Sequence, residues 1–346
     1  MKPVRLGMIG LGHIATHSHL PSLKPLVEEG EAVFQAFCDM DEDTLKERAG
    51  EYGAKAVYTD HHEMFDKEEL DAIYLCIPPA VHADELLIAA DKGIHVFVEK
   101  PVSLDTAQAV EFNAAVQKAG IVSQVGFNFR YEPAAEPGRQ LLGDRTLRHA
   151  LLQMVYGGNP IRYWTSRYEL CGGSFVENTI HRVDLLRYLV DDDIEAISAF
   201  YQMRQPGEGP EPMNLPHVYN VNYRFASGFV ANVTTSRVMY KTRAGRTNTV
   251  IVGDDSLVEW DTRKVVENGE VVWETEDKTR ASQYQARDFI KAVQAEDRSL
   301  PRSPYGDSLN TLAAVLGANA SAEAGGQLVL AEDLLNGNSP YKVPGE

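Results

Sequence analysis

The first third of the chain alternates short, almost wholly apolar runs with longer stretches in which apolar residues recur every three or four positions. Val4–Ile9, Ala32–Cys38, Ala72–Ile77, His95–Val98 and Val122–Phe127 read as strands. Asp41–Tyr52, Ala80–Lys92 and Leu104–Ala119 read as helices. Strands that are apolar on both sides belong to sheets covered on both faces by crossover helices, so the pattern predicts a parallel sheet in an α/β domain. Ile14–Val27 also reads as helical, with Pro21 predicting a break or kink inside it.

Beyond Asn128 strict alternation takes over. Leu151–Tyr156, Ile194–Met203, Val218–Phe225, Phe229–Thr235, Asn248–Val252, Leu257–Asp261 and Val271–Glu274 read as strands with one solvated side. Phe175–Leu189, Tyr284–Glu296 and Ser308–Ala324 read as helices. This predicts an α+β domain on a largely antiparallel sheet. A chain of 346 residues exceeds what one core usually serves. We therefore expect a domain over 1–127 and a second over 128–346, with Gln205–Pro216, rich in Pro, Gly and Glu, as a mobile loop.

Composition narrows the function classes. A net charge of -17 repels a phosphate backbone, so no nucleic-acid partner is expected. No apolar run approaches the roughly 20 residues of a membrane span. The segment Met1–Gly10 enters a glycine turn too early for a signal peptide, so a cytoplasmic protein is expected. Cys38, Cys76 and Cys171 form no Cys-x-x-Cys pair, which argues against structural zinc and a disulfide framework; no metal is expected.

The first strand runs straight into Gly10-Leu11-Gly12-His13-Ile14-Ala15, a Gly-x-Gly-x-x-Ala turn between a strand and a helix. In a dinucleotide site the first glycine allows the tight turn, the second lets backbone approach a pyrophosphate, and the small third residue lets helix and strand pack closely. The helix N-terminus offers its free N–H groups to phosphate. The second strand ends at Asp39, where a carboxylate accepts from the adenosine ribose hydroxyls and repels a 2′-phosphate. No Arg follows, so NAD is expected rather than NADP. The third strand ends at Ile77-Pro78-Pro79, with His82 soon after, and the fourth at Glu99-Lys100-Pro101. Ligands of open α/β sheets sit beyond the carboxyl ends of the strands, which puts Lys100 where a nicotinamide and its reaction partner belong. A cis Lys100–Pro101 bond would aim the ammonium into the cleft, and either isomer is open to an X–Pro bond.

A second constellation lies in Gly172-Gly173-Ser174-Phe175-Val176-Glu177-Asn178-Thr179-Ile180-His181-Arg182-Val183-Asp184. A helix after the two glycines places Glu177 and His181 four residues apart on one face. Histidine changes charge near neutral pH, and a carboxylate one turn away raises its basicity, a combination suited to acid–base work on a hydroxyl or carbonyl. Just upstream, Arg162, Tyr163 and Trp164 read equally as a sugar-binding wall with a polar anchor or as packing.

Taken in order, the Gly10–Ala15 turn, Pro78 with His82, Glu99-Lys100-Pro101, Gly126-Phe127-Asn128-Phe129-Arg130-Tyr131 and the Gly172–Asp184 stretch resemble the glucose–fructose oxidoreductase/inositol dehydrogenase (Gfo/Idh/MocA) family over nearly the whole chain. The resemblance implies a Rossmann domain followed by a domain with a large open-faced sheet that joins subunits into a homodimer or homotetramer. It also implies a sugar, inositol or related polyol as substrate. It assigns Lys100 and His181 to catalysis, with Glu177 where most members have Asp. Gly10, Gly12, His13, Ile14, Asp39, Pro78, His82, Glu99, Lys100 and Asn128 are assigned to the cofactor. Lys100, Tyr163, Trp164, Glu177, His181 and Asp184 are assigned to substrate. The expected activity is NAD(H)-dependent hydride exchange with a secondary alcohol or carbonyl. The alternatives are an NAD-dependent glycoside hydrolase of the same fold and a catalytically silent dinucleotide or sugar sensor.

Overall fold

The computed structural model describes residues 2–157, 163–205, 207–208, 213–239, 241–242 and 244–338. The chain divides into two compact units: 1–102 with 108–131 and 279–308, and 103–107 with 132–278 and 309–346. The division is thus not two consecutive blocks meeting at residue 127. The segment 279–308 returns to the first unit because the apolar face of the helix Ala281–Ala295 is covered there. Phe289, Ile290 and Val293 belong to one core with Leu6, Phe34 and Phe97.

The first unit holds β1 (Val4–Ile9), β2 (Ala32–Cys38), β3 (Ala56–Tyr58), β4 (Ala72–Leu75), β5 (His95–Val98) and β6 (Ser123–Val125), hydrogen-bonded in the order β3-β2-β1-β4-β5-β6. Every pairing is parallel. β4 is buried at all four positions, as a strand covered on both faces must be. Strand β3 and the helix His61–Lys67 after it were not foreseen; β3 has three residues, none fully buried, too few to show a period.

Two of the expected helices are irregular. The expected break near Pro21 takes the form of a π-helical turn: the chain is helical from His13 to Glu28, with the π turn Ala15–His19 directly before the α-helical part Leu20–Glu28, and the His17 carbonyl, four residues before Pro21, accepts from Arg280 Nη1 at 3.3 Å instead. The segment Ala80–Lys92 is instead a 3₁₀ turn, Pro79–Val81, then a helix, Glu85–Asp91. His82, in the intervening bend, is hydrogen-bonded through Nδ1 to the Glu85 carboxylate.

The second unit carries β7 (Leu147–Gly157), β8 (Ile194–Met203), β9 (Pro216–Phe225), β10 (Val230–Met239), β11 (Gly245–Gly253), β12 (Leu257–Asp261), β13 (Lys264–Glu267), β14 (Glu270–Glu274) and β15 (Val329–Leu330). They form one sheet in the order β14-β13-β12-β11-β7-β10-β9-β8-β15. β7 and β10 pair in parallel and the other pairings are antiparallel. Alternation is clean on β9: Tyr219, Val221, Tyr223 and Phe225 are buried, while Asn220, Asn222 and Arg224 are exposed. The outer row is knitted by polar pairs, Asn232 Nδ2 donating to Asn222 Oδ1 at 2.9 Å and Thr234 Oγ1 to Asn220 Oδ1 at 2.8 Å. Within the expected loop Gln205–Pro216, residues 206 and 209–212 lie outside the described residues.

Candidate active site

In the first unit the functional side chains gather at the carboxyl ends of the strands. Gly10 follows β1 with φ at 87° and donates its N–H to the Cys38 carbonyl at 2.9 Å. A methyl group there would lie 2.6 Å from the Cys76 carbonyl oxygen, so the turn needs glycine twice over. Gly12 is the opposite case: a Cβ on it meets nothing within 4 Å. The bare backbone faces open space at the head of a helix whose first N–H groups have no i−4 carbonyl, which is the cradle a pyrophosphate needs. His13 and Ile14 are exposed beside it, the His13 ring stacked on His17 with centroids 3.7 Å apart.

Asp39 stands directly beyond β2. Its Oδ2 accepts from the Leu11 N–H at 2.6 Å and its Oδ1 from the Asp41 N–H at 2.9 Å. The carboxylate is therefore fixed against the glycine turn, with lone pairs left over for two ribose hydroxyls. Replacing Asp39 by Ala removes both anchors and the ribose acceptor. NAD affinity is expected to fall about 10- to 100-fold, as for hydrogen bonds to a charged group. NADP is expected to lose much less, so paired fluorescence titrations decide the role; equal losses for both nucleotides remove Asp39 from cofactor selection.

Two buried polar atoms at the same edge have no hydrogen-bond partner among the described residues, His82 Nε2 and Asn128 Oδ1. Asn128 opens a 3₁₀ turn after β6, and His82 follows the Pro78–Pro79 turn after β4. Unsatisfied polar atoms on the same sheet edge as an open glycine cradle fit a polar ligand that completes them, and the residues present fit a dinucleotide. The His82 pairing also has a pH signature. Burial pushes the Glu85 carboxyl up, but its bond and attraction to His82, with the Ala83 N–H, outweigh burial and hold it below the ordinary glutamate value. Such a group stabilises the fold above its unfolded pKa, and that stabilisation is lost as pH falls through the folded value. His82→Ala is expected to move acid unfolding, followed by circular dichroism, to higher pH; an unchanged midpoint removes the pair from acid stability.

Lys100 follows Glu99 just beyond β5, and the Lys100–Pro101 bond is cis. Glu99 differs from expectation. It was assigned to the cofactor, yet it is buried and both carboxylate oxygens are engaged inside the unit. Oε1 lies 2.6 Å from His19 Nε2, and Oε2 accepts the Lys100 N–H at 3.0 Å. His19 carries no sequence signal of its own; only the fold brings it to Glu99 across 80 positions.

In the second unit, Gly172 and Gly173 have φ of 70° and 93°. A methyl group on Gly173 would stand 2.7 Å from Tyr219 Oη. Tyr219 Oη donates to Asn319 Oδ1 at 3.1 Å, and Asn319 Nδ2 donates to the Gly172 carbonyl at 2.7 Å, so two residues absent from the motif hold the glycine turn. The helix after it is not regular. Phe175–Thr179 is a π-helical turn, with the Ile180 N–H reaching the Phe175 carbonyl, and the α-helix Ile180–Val190 follows. Glu177 and His181, both half-buried, thus straddle a wide turn rather than one α-helical face.

Asp184 was assigned to substrate or to stabilising its helix; it has no exposed surface and accepts from Thr311 Oγ1 at 3.1 Å, while Arg187 Nη1 donates to the same hydroxyl at 2.8 Å, which fits the second role. It is a buried acceptor tying the helix Ile180–Val190 to Tyr305–Glu323. Tyr163 is exposed, its ring under the Arg167 guanidinium at 4.5 Å, and Trp164 opens a 3₁₀ turn. Arg162 lies outside the described residues. Burial pushes the Cys38 and Cys171 thiols up to about 12 and Cys76 well above its ordinary value, so none offers a thiolate near neutrality.

Residues 4–127 match the model of the oxidoreductase family with the NAD-binding Rossmann fold, and residues 145–259 match the Gfo/Idh/MocA C-terminal domain. The chain belongs to the Gfo/Idh/MocA oxidoreductase family. As in that family, an NAD-binding Rossmann unit is combined with a mixed-sheet unit. Among relatives, myo-inositol 2-dehydrogenase of Thermotoga maritima is 29% identical over 57% of this chain and 58% of its own length. The match thus spans little more than half of that protein. D-xylose 1-dehydrogenase (NADP(+)) 2 of Haloferax volcanii is 23% identical over 94% of this chain and 99% of its own. Among solved structures, an oxidoreductase of Thermotoga maritima superposes with a TM-score of 0.83 at 23% identity, over 96% of this chain and 100% of that one. Levoglucosan dehydrogenase, solved with NADH and L-sorbose, gives 0.80 at 17%, over 96% and 99%. At such identities these structures establish the shared Gfo/Idh/MocA fold.

Proposed function

We propose that this protein is an NAD(H)-dependent dehydrogenase or reductase that exchanges a hydride with a secondary alcohol or carbonyl of a sugar, an inositol or a related polyol. The observation that carries the reading is Lys100, standing at the end of β5 on the same sheet edge as the Gly12 cradle and the anchored Asp39. Relatives named for myo-inositol and D-xylose support the substrate class.

Bound nicotinamide supplies the redox chemistry, and Gly12, Asp39, His82 and Asn128 are the residues that hold the dinucleotide. In the oxidative direction the His181 imidazole takes the proton from the substrate hydroxyl. Lys100 donates a charge-assisted hydrogen bond to that oxygen and stabilises the negative charge developing on it. In reduction the same groups act in reverse, His181 returning the proton to the carbonyl oxygen.

Paired NAD and NADP titrations, followed by a screen of polyols and sugars at 340 nm that includes myo-inositol and D-xylose, test the reading. NADH formation with NAD supports it. Glycoside cleavage without net NADH replaces it with the hydrolase, and cofactor binding without turnover of any kind replaces it with the sensor. We also assign the outer face of the nine-stranded sheet to a second copy of the chain. Leu151, Val230 and Leu328 are each more than two-fifths exposed and line one depression of about 360 Å³ on that sheet. Sedimentation of a single monomer at micromolar concentration removes that assignment.

A further inference from the structure

The buried cluster behind Lys100 has no place in the hydride reaction as written. Glu99 and His19 are both almost inaccessible, and the His19 ring packs edge-on against Phe97, centroids 4.9 Å apart, and tilted against Tyr74 at 5.5 Å. A buried carboxylate is costly unless its oxygens are hydrogen-bonded. Here the partners are specific. With Glu99 ionised, His19 donates its Nε2–H to Oε1 at 2.6 Å, and the backbone N–H of Lys100 itself is donated to Oε2 at 3.0 Å. The space is made by a missing side chain: a Cβ on Gly126 would lie 2.7 Å from Glu99 Oε1. The π turn Ala15–His19 delivers the imidazole, turning His19 inward while His17 stays outside on His13. An apolar pair would fill this volume without the desolvation penalty. What an apolar pair cannot do is accept the N–H of the residue whose side chain meets the substrate oxygen.

We propose that His19 and Glu99 are positioning residues for Lys100, fixing the backbone from which its ammonium is presented. The inference rests on the dehydrogenase reading for the meaning of Lys100, but its central test does not need turnover. His19→Ala, His19→Gln, Glu99→Gln and Lys100→Ala are compared, together with the double variants that join His19→Ala or Glu99→Gln to Lys100→Ala. The lysines are tagged with ¹³C-dimethyl groups, and the Lys100 resonance is identified by its loss in Lys100→Ala. In His19→Ala and Glu99→Gln that resonance is expected to move or broaden while those of the other lysines stay in place. With the polyol or sugar that the screen returns, kcat is expected to fall about 10- to 100-fold, the usual effect of losing a supporting partner. The NAD dissociation constant should stay within about threefold, under 1 kcal/mol. On the Lys100→Ala background the same changes should cost nothing further, because the group they position is gone. His19→Gln, which can still offer an amide N–H to Glu99, should recover most of the loss. If His19→Ala does not fold, His19→Gln and Glu99→Gln carry the comparison. An unmoved Lys100 resonance, or losses that add to that of Lys100→Ala, overturns the proposal. Full activity in Lys100→Ala instead removes Lys100 from the chemistry while the dehydrogenase reading stands, and the resonance still decides whether His19 and Glu99 position the side chain.

Discussion

Lys100→Ala is expected to lower kcat by about 100- to 1,000-fold with NAD affinity nearly unchanged. The size follows from removing one preorganised, charge-assisted donor to an oxygen that gains negative charge in the transition state, about 2.7–4 kcal/mol. The direction follows from place: Lys100 lies two residues beyond β5, whereas the residues proposed to hold the nucleotide are the Gly12 turn after β1 and Asp39 after β2. Lys100→Arg is not expected to rescue, because a planar guanidinium presents its donors in a fork where a compact ammonium is required. Steady-state rates at 340 nm, with NAD binding measured separately, check both halves. A variant that turns over like the wild type removes Lys100 from the chemistry. One that loses cofactor affinity by the same factor as rate makes Lys100 a nucleotide contact instead.

The two glycines of the turn after β1 are expected to separate folding from binding. Gly10→Ala places a methyl group 2.6 Å from the Cys76 carbonyl oxygen and 2.8 Å from Ile77 Cγ2, at a φ of 87° that side chains rarely adopt. Left-handed strain of about 1–2 kcal/mol and overpacking of about 1–3 kcal/mol act together. Melting should fall by roughly 10 °C. Gly12→Ala adds a methyl group to open space, so stability should stay within about 0.5 kcal/mol. If the turn holds the pyrophosphate as proposed, that methyl group obstructs it, and NAD affinity should fall by at least about tenfold. Scanning calorimetry without nucleotide and fluorescence titration with it give the two numbers for each variant. If both variants lose stability alike, or Gly12→Ala binds NAD like the wild type, the cradle is not where the turn suggests.

The sheet of the first unit was readable because its strands are buried on both faces, which leaves an unbroken apolar run. The strands β1, β2 and β5 begin and end where the sequence placed them. A helix is different: its apolar stripe says that something covers it but not what. The helix near Tyr284 was legible, while its packing on Leu6 and Phe34, far earlier in the chain, was not. The same limit applies at the candidate site. Gly10, Gly12 and Asp39 are local features of a strand and its turn, and they stand where the pattern put them. The buried roles of Glu99 and Asp184 depend on His19 and Thr311, 80 and 127 positions away, and no spacing rule within a motif reports such partners.

The π turns at Ala15–His19 and Phe175–Thr179 each hold one residue more than an α-helical turn of the same rise. Each therefore acts as a single-letter insertion in the text of the chain. When this sequence is laid against a relative whose corresponding turn is α-helical, the gap belongs inside 15–19 and inside 175–179. An ungapped match across the second turn shifts every residue on one side of it by one place. Functional residues should therefore be transferred to and from this chain by superposing the helices that follow the turns, not by counting from the glycines that precede them.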